Sequence, residues 1–159
     1  DSNASRGLGD VYKRQQPDKL GGPLGAWLES TLMPELYSDM EARGTEMCPY
    51  VYSLGTTPDD GIQDFLETPR FSTGYAALHH TLGFTTEAHM LKPFDDRVEA
   101  TLRFLNALLE AGIRHAEIID TLRKAQDHAY RHTSTHPVDW TRDTTAVDSV
   151  RFGGFDARY

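Results

Sequence analysis

The apolar residues of this sequence recur at two different spacings, and this alternation restricts the folds open to the chain. A spacing of four, typical of a helix, links Leu24, Leu28, Leu32, Leu36 and Met40. Pro34 within this ladder predicts a bend or an early break, and Gly44 suits the C-terminal cap. Residues 49–54 and 82–91 carry strand patterns rich in aromatic and β-branched side chains. Helical and strand patterns therefore follow one another along the chain.

Two more helices are predicted after residue 93. Asp95 and Asp96 favour a helix N-terminus, and the helix has one apolar face that stops at Gly112: Val98, Leu102, Leu105 and Leu109. Residues 113–130 follow as a second amphipathic helix. Its predicted buried side consists of Ile118, Leu122, Ala125 and Ala129.

These patterns predict an α/β fold in which helices flank a partial mixed sheet. Residues 1–19 show neither helical nor strand periodicity and are interpreted as a tail or artefact. Residues 20–132 form the predicted folded part. Residues 133–159 are interpreted as a linker and the start of a truncated segment, in which 141–159 carries a strand-like alternation.

Charge and composition exclude several functions. The chain has 16 Lys and Arg against 24 Asp and Glu, a formal net charge of −8. That balance argues against nucleic acid and against an anionic membrane surface as partners, because both require clustered positive charge. Cys48 is the single cysteine, so no internal disulfide is expected. No run of apolar residues has the length of a membrane-spanning helix. The oligomeric state is left open.

Glu87 is the residue most suggestive of chemistry. Successive side chains of a strand point to opposite faces, so Thr85, Glu87 and His89 share one face of the second predicted strand. A carboxylate within an apolar strand is costly to bury unless it is solvated, paired or bound to a metal, which makes Glu87 a candidate general base. The alternative is an edge strand on which Glu87 and His89 merely face water.

The segment around Glu87 also suggests a family. Residues 83–94 read Gly-Phe-Thr-Thr-Glu-Ala-His-Met-Leu-Lys-Pro-Phe, and Arg97-Val98 opens the following helix. This run closely resembles the end of the catalytic domain of zinc carboxypeptidases of the carboxypeptidase A-like superfamily. Residues 61–65, 69–75 and 22–28 resemble the bacterial branch, whose members are often exported. The resemblance covers roughly residues 21–112 and implies the carboxyl-terminal half of that catalytic domain.

The resemblance implies a zinc-dependent hydrolysis of peptide substrates. In that family a zinc ion polarises water and the substrate carbonyl, and the glutamate matching Glu87 takes the proton and delivers it to the departing amine. The family's zinc ligands are a His-x-x-Glu pair and a later histidine. This chain contains no His-x-x-Glu, and no histidine precedes His79. We therefore expect zinc in the parent protein, bound by residues that this chain lacks, and an inactive isolated chain.

Two further residues follow from the resemblance. Tyr52 is the nearest candidate for the family's substrate-contacting tyrosine, with Tyr50 as an alternative, and either residue is open to a packing role. Arg70 is a candidate for holding a substrate carboxylate through its bidentate fork. The competing interpretation of Arg70 is a surface ion pair with Glu67 or Asp64.

Three histidines, His128, His132 and His136, are spaced four residues apart, a pattern that two metal-binding histidines on one helix can share. The helix is expected to end near Tyr130, and the helix dipole alone favours histidine there. Metal binding at this position is therefore not the preferred interpretation.

Two other functions remain open at this point. One is an amidase or deacylase of the same superfamily. The other is a non-catalytic α/β binding module in which Glu87 and His89 bind a ligand or stabilise the fold.

Overall fold

The structure is a computed structural model that describes residues 11–56, 60–90, 92–145 and 147. In chain order its helices and strands are β1 (Val11–Arg14), α1 (Pro17–Leu20), α2 (Gly22–Trp27), a π-helical turn (Leu28–Leu32), α3 (Met33–Ala42), β2 (Met47–Pro49), β3 (Val51–Ser53), β4 (Ile62–Asp64), α4 (Ser72–Leu78), β5 (Thr85–Glu87), α5 (Phe94–Arg114) and α6 (Ala116–His132). Within these residues, no helix has both the length and the apolarity needed to cross a membrane.

The predicted α/β class is confirmed. A three-stranded sheet has the order β2-β1-β5 and is mixed, since β1 pairs parallel with β2 and antiparallel with β5. The strands β3 and β4 form a separate antiparallel hairpin. Both predicted strands are shorter than expected. Residues 49–54 change partners at Tyr50, and the pairing of β5 extends only over Thr85–Glu87, opposite residues 12–14 of β1.

The central strand lies where no strand was predicted. Residues 1–19 were expected to contribute no regular element, but β1 occupies the middle of the sheet, and Val11 is fully buried. Hydrogen bonds to β2 on one side and β5 on the other stabilise β1, and such distant partners cannot be read from the local sequence pattern. Residues 1–10 of that segment lie outside the described residues, as do residues 146 and 148–159 of the strand-like pattern at 141–159. Residues 133–145 contain no helix or strand.

Pro34 does not break the first long helix. Helical structure continues from Gly22 to Ala42, and the π-helical turn ends two residues before the proline, with the Met33 N–H donating to the Leu28 carbonyl. The wider turn accommodates a residue that cannot donate an N–H of its own. Gly44 follows with a φ of 72°, the left-handed conformation predicted for a C-terminal cap.

The core is built on this helix. The leucine ladder is buried as predicted, together with residues of β1, β2 and α5, and the main members are Val11, Leu24, Leu28, Leu32, Leu36, Met40, Met47 and Phe104. The α5 helix packs on α3 through its small residues and Phe104, whose ring lies 6.0 Å from that of Phe84 between centroids.

The predicted buried side of α6 is wrong. Ile118, Ala125 and Ala129 are exposed, and Leu122 is only partly buried against the core. The buried residue of this helix is Gln126.

The side chain of Gln126 is buried because it completes the hydrogen bonding at the start of α2. The Leu24 N–H donates to Gln126 Oε1 over 3.1 Å, and the Gln126 amide donates to the Leu20 carbonyl. The first turn of a helix has N–H groups without intrahelical partners, so a side-chain acceptor stabilises it. Through these two hydrogen bonds, α6 packs against the start of α2 with Gln126 and not with its predicted apolar side.

Candidate functional site

Glu87 lies at the end of β5, the last strand on one side of the three-stranded sheet in the described part of the chain. Its side chain is exposed, and His89, two residues further on, is half-buried. The chain then turns, with the Lys92 N–H donating to the His89 carbonyl over 3.0 Å. The edge-strand position raised as the alternative is therefore what the structure has. Such an exposed carboxylate is accessible to water.

A hydrogen bond joins the Glu87 strand to the segment that carries Arg70. The hydroxyls of Ser72 and Thr85 lie 3.1 Å apart, linking the first residue of α4 to β5. Thr85 and Glu87 share one face of the strand, because they are two residues apart. The N-terminal end of α4 therefore borders the face on which the Glu87 carboxylate lies.

Arg70 lies in the turn immediately before α4, and its side chain is exposed. A surface ion pair between Arg70 and Glu67 does not fit the structure, because Glu67 is buried, at 1% exposed. The Glu67 carboxylate accepts a hydrogen bond from the Thr73 hydroxyl. Asp64, the other suggested partner, is exposed, and its carbonyl accepts from Arg142 over 3.5 Å. The role of Arg70 in substrate binding stays a prediction.

Tyr52 lies on β3 and is 41% exposed. Its ring packs against Phe65, with 5.2 Å between centroids, and against Tyr50, with 5.8 Å. Phe65 in turn packs edge-on against Phe71, with 5.4 Å between centroids. These four rings connect the β3–β4 hairpin to the turn of Arg70. One side of the Tyr52 ring therefore packs against aromatic neighbours, and the rest of the side chain is exposed. The substrate contact of Tyr52 stays a prediction.

A buried polar network that the sequence analysis did not find fixes the loop between the hairpin and α4. The Gln16 amide donates to the Phe65 carbonyl over 3.0 Å, and Gln16 Oε1 accepts from the Glu67 N–H over 3.2 Å. The Lys19 ammonium donates to the Glu67 carbonyl. These bonds satisfy backbone groups that would otherwise be buried without partners. The only signal in the sequence was the presence of polar residues, which normally indicates a solvent-facing segment.

Lys19 has a second contact, with the indole ring of Trp140, 5.0 Å from ammonium to centroid. Burial lowers the pKa of Lys19, and the carboxylates of Asp139 and Glu67 oppose this shift. A cavity of about 250 Å³ opens beside this contact, and its walls include Lys19, Leu78, His80, Gln126, Tyr130 and Trp140. It lies against the C-terminal part of α4, whereas Arg70 precedes the N-terminus of that helix.

The histidines of the chain are mostly occupied in ring contacts. His79 packs on Tyr75 with 4.5 Å between centroids. His128 and His132 stack on each other at 4.2 Å, and His132 Nδ1 contacts the His128 carbonyl over 2.7 Å. His136 packs on Tyr130 at 4.0 Å.

A catalytic zinc site requires about three ligand side chains close together. Within the described ranges, no group of three or more His, Cys, Asp or Glu residues is arranged to hold a metal ion. The described residues alone therefore do not fit a catalytic zinc.

Comparisons of this chain with protein-family models, with curated proteins and with solved structures give no match.

Proposed function

We propose that this chain is part of a zinc-dependent metallocarboxypeptidase, the carboxyl-terminal half of its catalytic domain, and that Glu87 is the general base. The observation that carries the proposal is the position of Glu87. Its carboxylate is exposed at the end of an edge strand, and the Ser72–Thr85 hydrogen bond ties that strand to the turn holding Arg70. The resemblance of residues 83–94 to the family supplies the reaction class.

Hydrolysis of a peptide bond requires one proton to move from the attacking water to the departing amine. Glu87 accepts that proton as the water oxygen bonds to the carbonyl carbon. It then returns the proton to the nitrogen as the carbon–nitrogen bond breaks, so the carboxylate is regenerated. A solvent-exposed carboxylate at the end of a strand fits this role. The zinc of the proposal would be bound by residues outside this chain.

Arg70 is proposed to bind the C-terminal carboxylate of the substrate. A guanidinium presents two parallel N–H donors to a carboxylate, and this pairing is stronger and more directional than a neutral hydrogen bond. The ring contact between Phe65 and Phe71 and the buried network around Glu67 hold the turn in place. Tyr52 is proposed to offer its hydroxyl to the substrate from the neighbouring hairpin.

The test is steady-state kinetics of the complete parent protein on N-blocked dipeptides with a free C-terminus. Glu87→Gln should lower kcat by about 10²- to 10⁴-fold at an unchanged melting temperature, the usual contribution of a positioned base. The matched control is Glu117→Gln, an exposed glutamate in the first turn of α6, which should leave kcat unchanged. A Glu87→Gln enzyme with full turnover and an altered melting temperature would instead support a structural residue in a binding module.

Substrates also separate a peptidase from an amidase. Arg70→Ala should raise KM for peptides with a free C-terminal carboxylate and leave KM for C-terminally amidated peptides unchanged. An enzyme that prefers small acylated amino acids over peptides would favour the amidase or deacylase alternative.

A further inference from the structure

The cavity beside Lys19 is enclosed by residues from four parts of the chain. Its volume is about 250 Å³, and we call it the Lys19 cavity. The described residues on its walls come from the segments 18–23, 77–80, 126–133 and 137–140. Glu87, Arg70 and Tyr52 are not among them, so this cavity is separate from the proposed catalytic site.

Lys19 is the buried charged residue of this cavity. It is 8% exposed, its ammonium donates to the Glu67 carbonyl, and it lies 5.0 Å from the centroid of the Trp140 ring. Both of these contacts are with uncharged groups. An ammonium has three N–H donors, so Lys19 has the capacity to donate to a further acceptor. Burial also lowers the pKa of Lys19, although the carboxylates of Asp139 and Glu67 oppose the shift, because its charge is solvated less well than in water.

The two carboxylates near Lys19 accept hydrogen bonds from other donors. The Glu67 carboxylate accepts from the Thr73 hydroxyl, and Asp139 Oδ1 accepts from the Trp140 N–H over 2.9 Å. An anion in the cavity can therefore accept from Lys19 while both of these bonds persist.

Aromatic and aliphatic side chains form much of the remaining wall. The Tyr130 ring contacts two histidines, His80 at 5.3 Å and His136 at 4.0 Å between centroids. Trp140 supplies a second large ring, and Leu78 an aliphatic side chain. Walls of this kind bind a flat apolar group, and the few polar groups among them fix its orientation.

The wall around His80 is held in an uncommon backbone conformation. His80 has a φ of 48°, in the left-handed region that residues other than glycine rarely adopt. The Arg123 Nε–H donates to the His80 carbonyl over 2.8 Å, and His80 Nδ1 lies 3.7 Å from the Asp127 carboxylate. Two residues of α6 thus hold the end of α4, and a wall that is already ordered lowers the entropy cost of binding.

We propose that the Lys19 cavity binds a small aromatic monocarboxylate, whose carboxylate accepts from the Lys19 ammonium and whose ring packs beside Trp140 and Tyr130. The volume suits one ring with a short acidic arm, since an apolar cavity of about 150 Å³ holds benzene and pockets for drug-sized ligands begin at about 300 Å³. A single negative charge matches one buried cation, whereas a dianion would also be repelled by Asp18 in the same wall. This binding site does not depend on the proposed peptidase activity.

The experiment uses phenylacetate as the probe and phenylacetamide as its uncharged analogue of similar shape. Each is titrated into the 159-residue chain by isothermal titration calorimetry. Phenylacetate should bind once per chain with a Kd of about 1 mM or below, and phenylacetamide at least about fivefold more weakly. Lys19→Met keeps the length of the side chain, and it should weaken phenylacetate at least about fivefold while changing phenylacetamide less than about twofold. Lys124→Met, at a side chain 76% exposed, is the matched control and should change neither.

Trp140→Ala is the second variant, because Trp140 lies outside every described helix and strand. It should weaken both probes at least about threefold, since both lose a ring contact. Circular dichroism checks folding, and if Lys19→Met does not fold, the two probes and Trp140→Ala carry the test. Absence of saturable phenylacetate binding, equal affinity for the two probes, or full affinity in folded Lys19→Met would overturn the proposal. So would loss of binding in Arg70→Ala in place of Lys19→Met, which would put the probe at the proposed substrate site.

Discussion

The replacement of Lys13 by methionine gives a quantitative test of how the central strand is packed. Lys13 is only 5% exposed on β1, its ammonium donates to Gln15 Oε1 over 2.9 Å, and it lies 5.0 Å from the centre of the Tyr37 ring. Burial lowers the pKa of Lys13 to about 8, and the interaction with Cys48 acts in the opposite direction. Methionine keeps most of the length of the side chain and removes its charge.

The magnitude follows from the change in pKa. The ordinary value is 10.5 and the folded value about 8, so at a pH below 8 the buried charge costs about 3 kcal/mol of stability. Between pH 8 and 10.5 the unfolded chain binds more protons at Lys13 than the folded chain does. The free energy of unfolding should therefore rise with pH through that window. Lys13→Met should raise stability at pH 7 by up to about 3 kcal/mol, and this gain should shrink toward pH 10.

Urea unfolding followed by circular dichroism at intervals from pH 6.5 to 10 measures this difference. The range stops at pH 10 because burial also raises the pKa of Tyr37 to about 12, which should lower stability as the pH rises from 10 to 12. Lys124→Met, at a side chain 76% exposed, is the control and should give a small difference without this pH dependence. A Lys13→Met chain less stable than the original at pH 7, or a difference that does not vary with pH, would refute the reasoning.

Two further predictions concern packing. Phe104→Ala should destabilise the chain by about 3–5 kcal/mol in urea unfolding, because the ring is 1% exposed. Leu109→Ala, at an exposed residue on the opposite side of the same helix, should cost less than about 0.5 kcal/mol. Equal losses of stability would contradict the burial of Phe104 and the exposure of Leu109. Gly74→Ala should lower the free energy of unfolding by about 1–3 kcal/mol, since the added methyl group would lie 2.8 Å from the Glu67 carbonyl oxygen. Gly112→Ala, with open space around the added methyl group, should raise it by up to about 1 kcal/mol. A Gly74→Ala chain of unchanged stability would contradict the close packing of the loop on α4.

The sequence predicted the elements whose periodicity is long and regular. The leucine ladder of residues 24–40 is a buried helix face, and residues 94–114 are helical. It did not predict β1, because a four-residue strand owes its existence to partners distant in sequence rather than to a pattern of its own. The burial of Gln126 in place of Ile118 was equally out of reach, since it depends on the N–H groups at the start of α2.

The candidate site shows the same division. Glu87 could be selected from one strand because a carboxylate in an apolar run is locally anomalous. Glu67 was assigned to the surface, although it is buried and hydrogen-bonded to Thr73, because the contact requires a loop to fold back on α4. Local anomalies are visible in a sequence, whereas polar groups satisfied through tertiary contacts are not.

The central claim is that Glu87 transfers the proton in peptide hydrolysis. The most direct measurement is kcat/KM at one pH for the proposed parent protein and its Glu87→Gln variant, with folding checked by circular dichroism. We predict that the variant keeps its fold and loses at least about 10²-fold in kcat/KM. A folded Glu87→Gln protein with the original kcat/KM would contradict the claim.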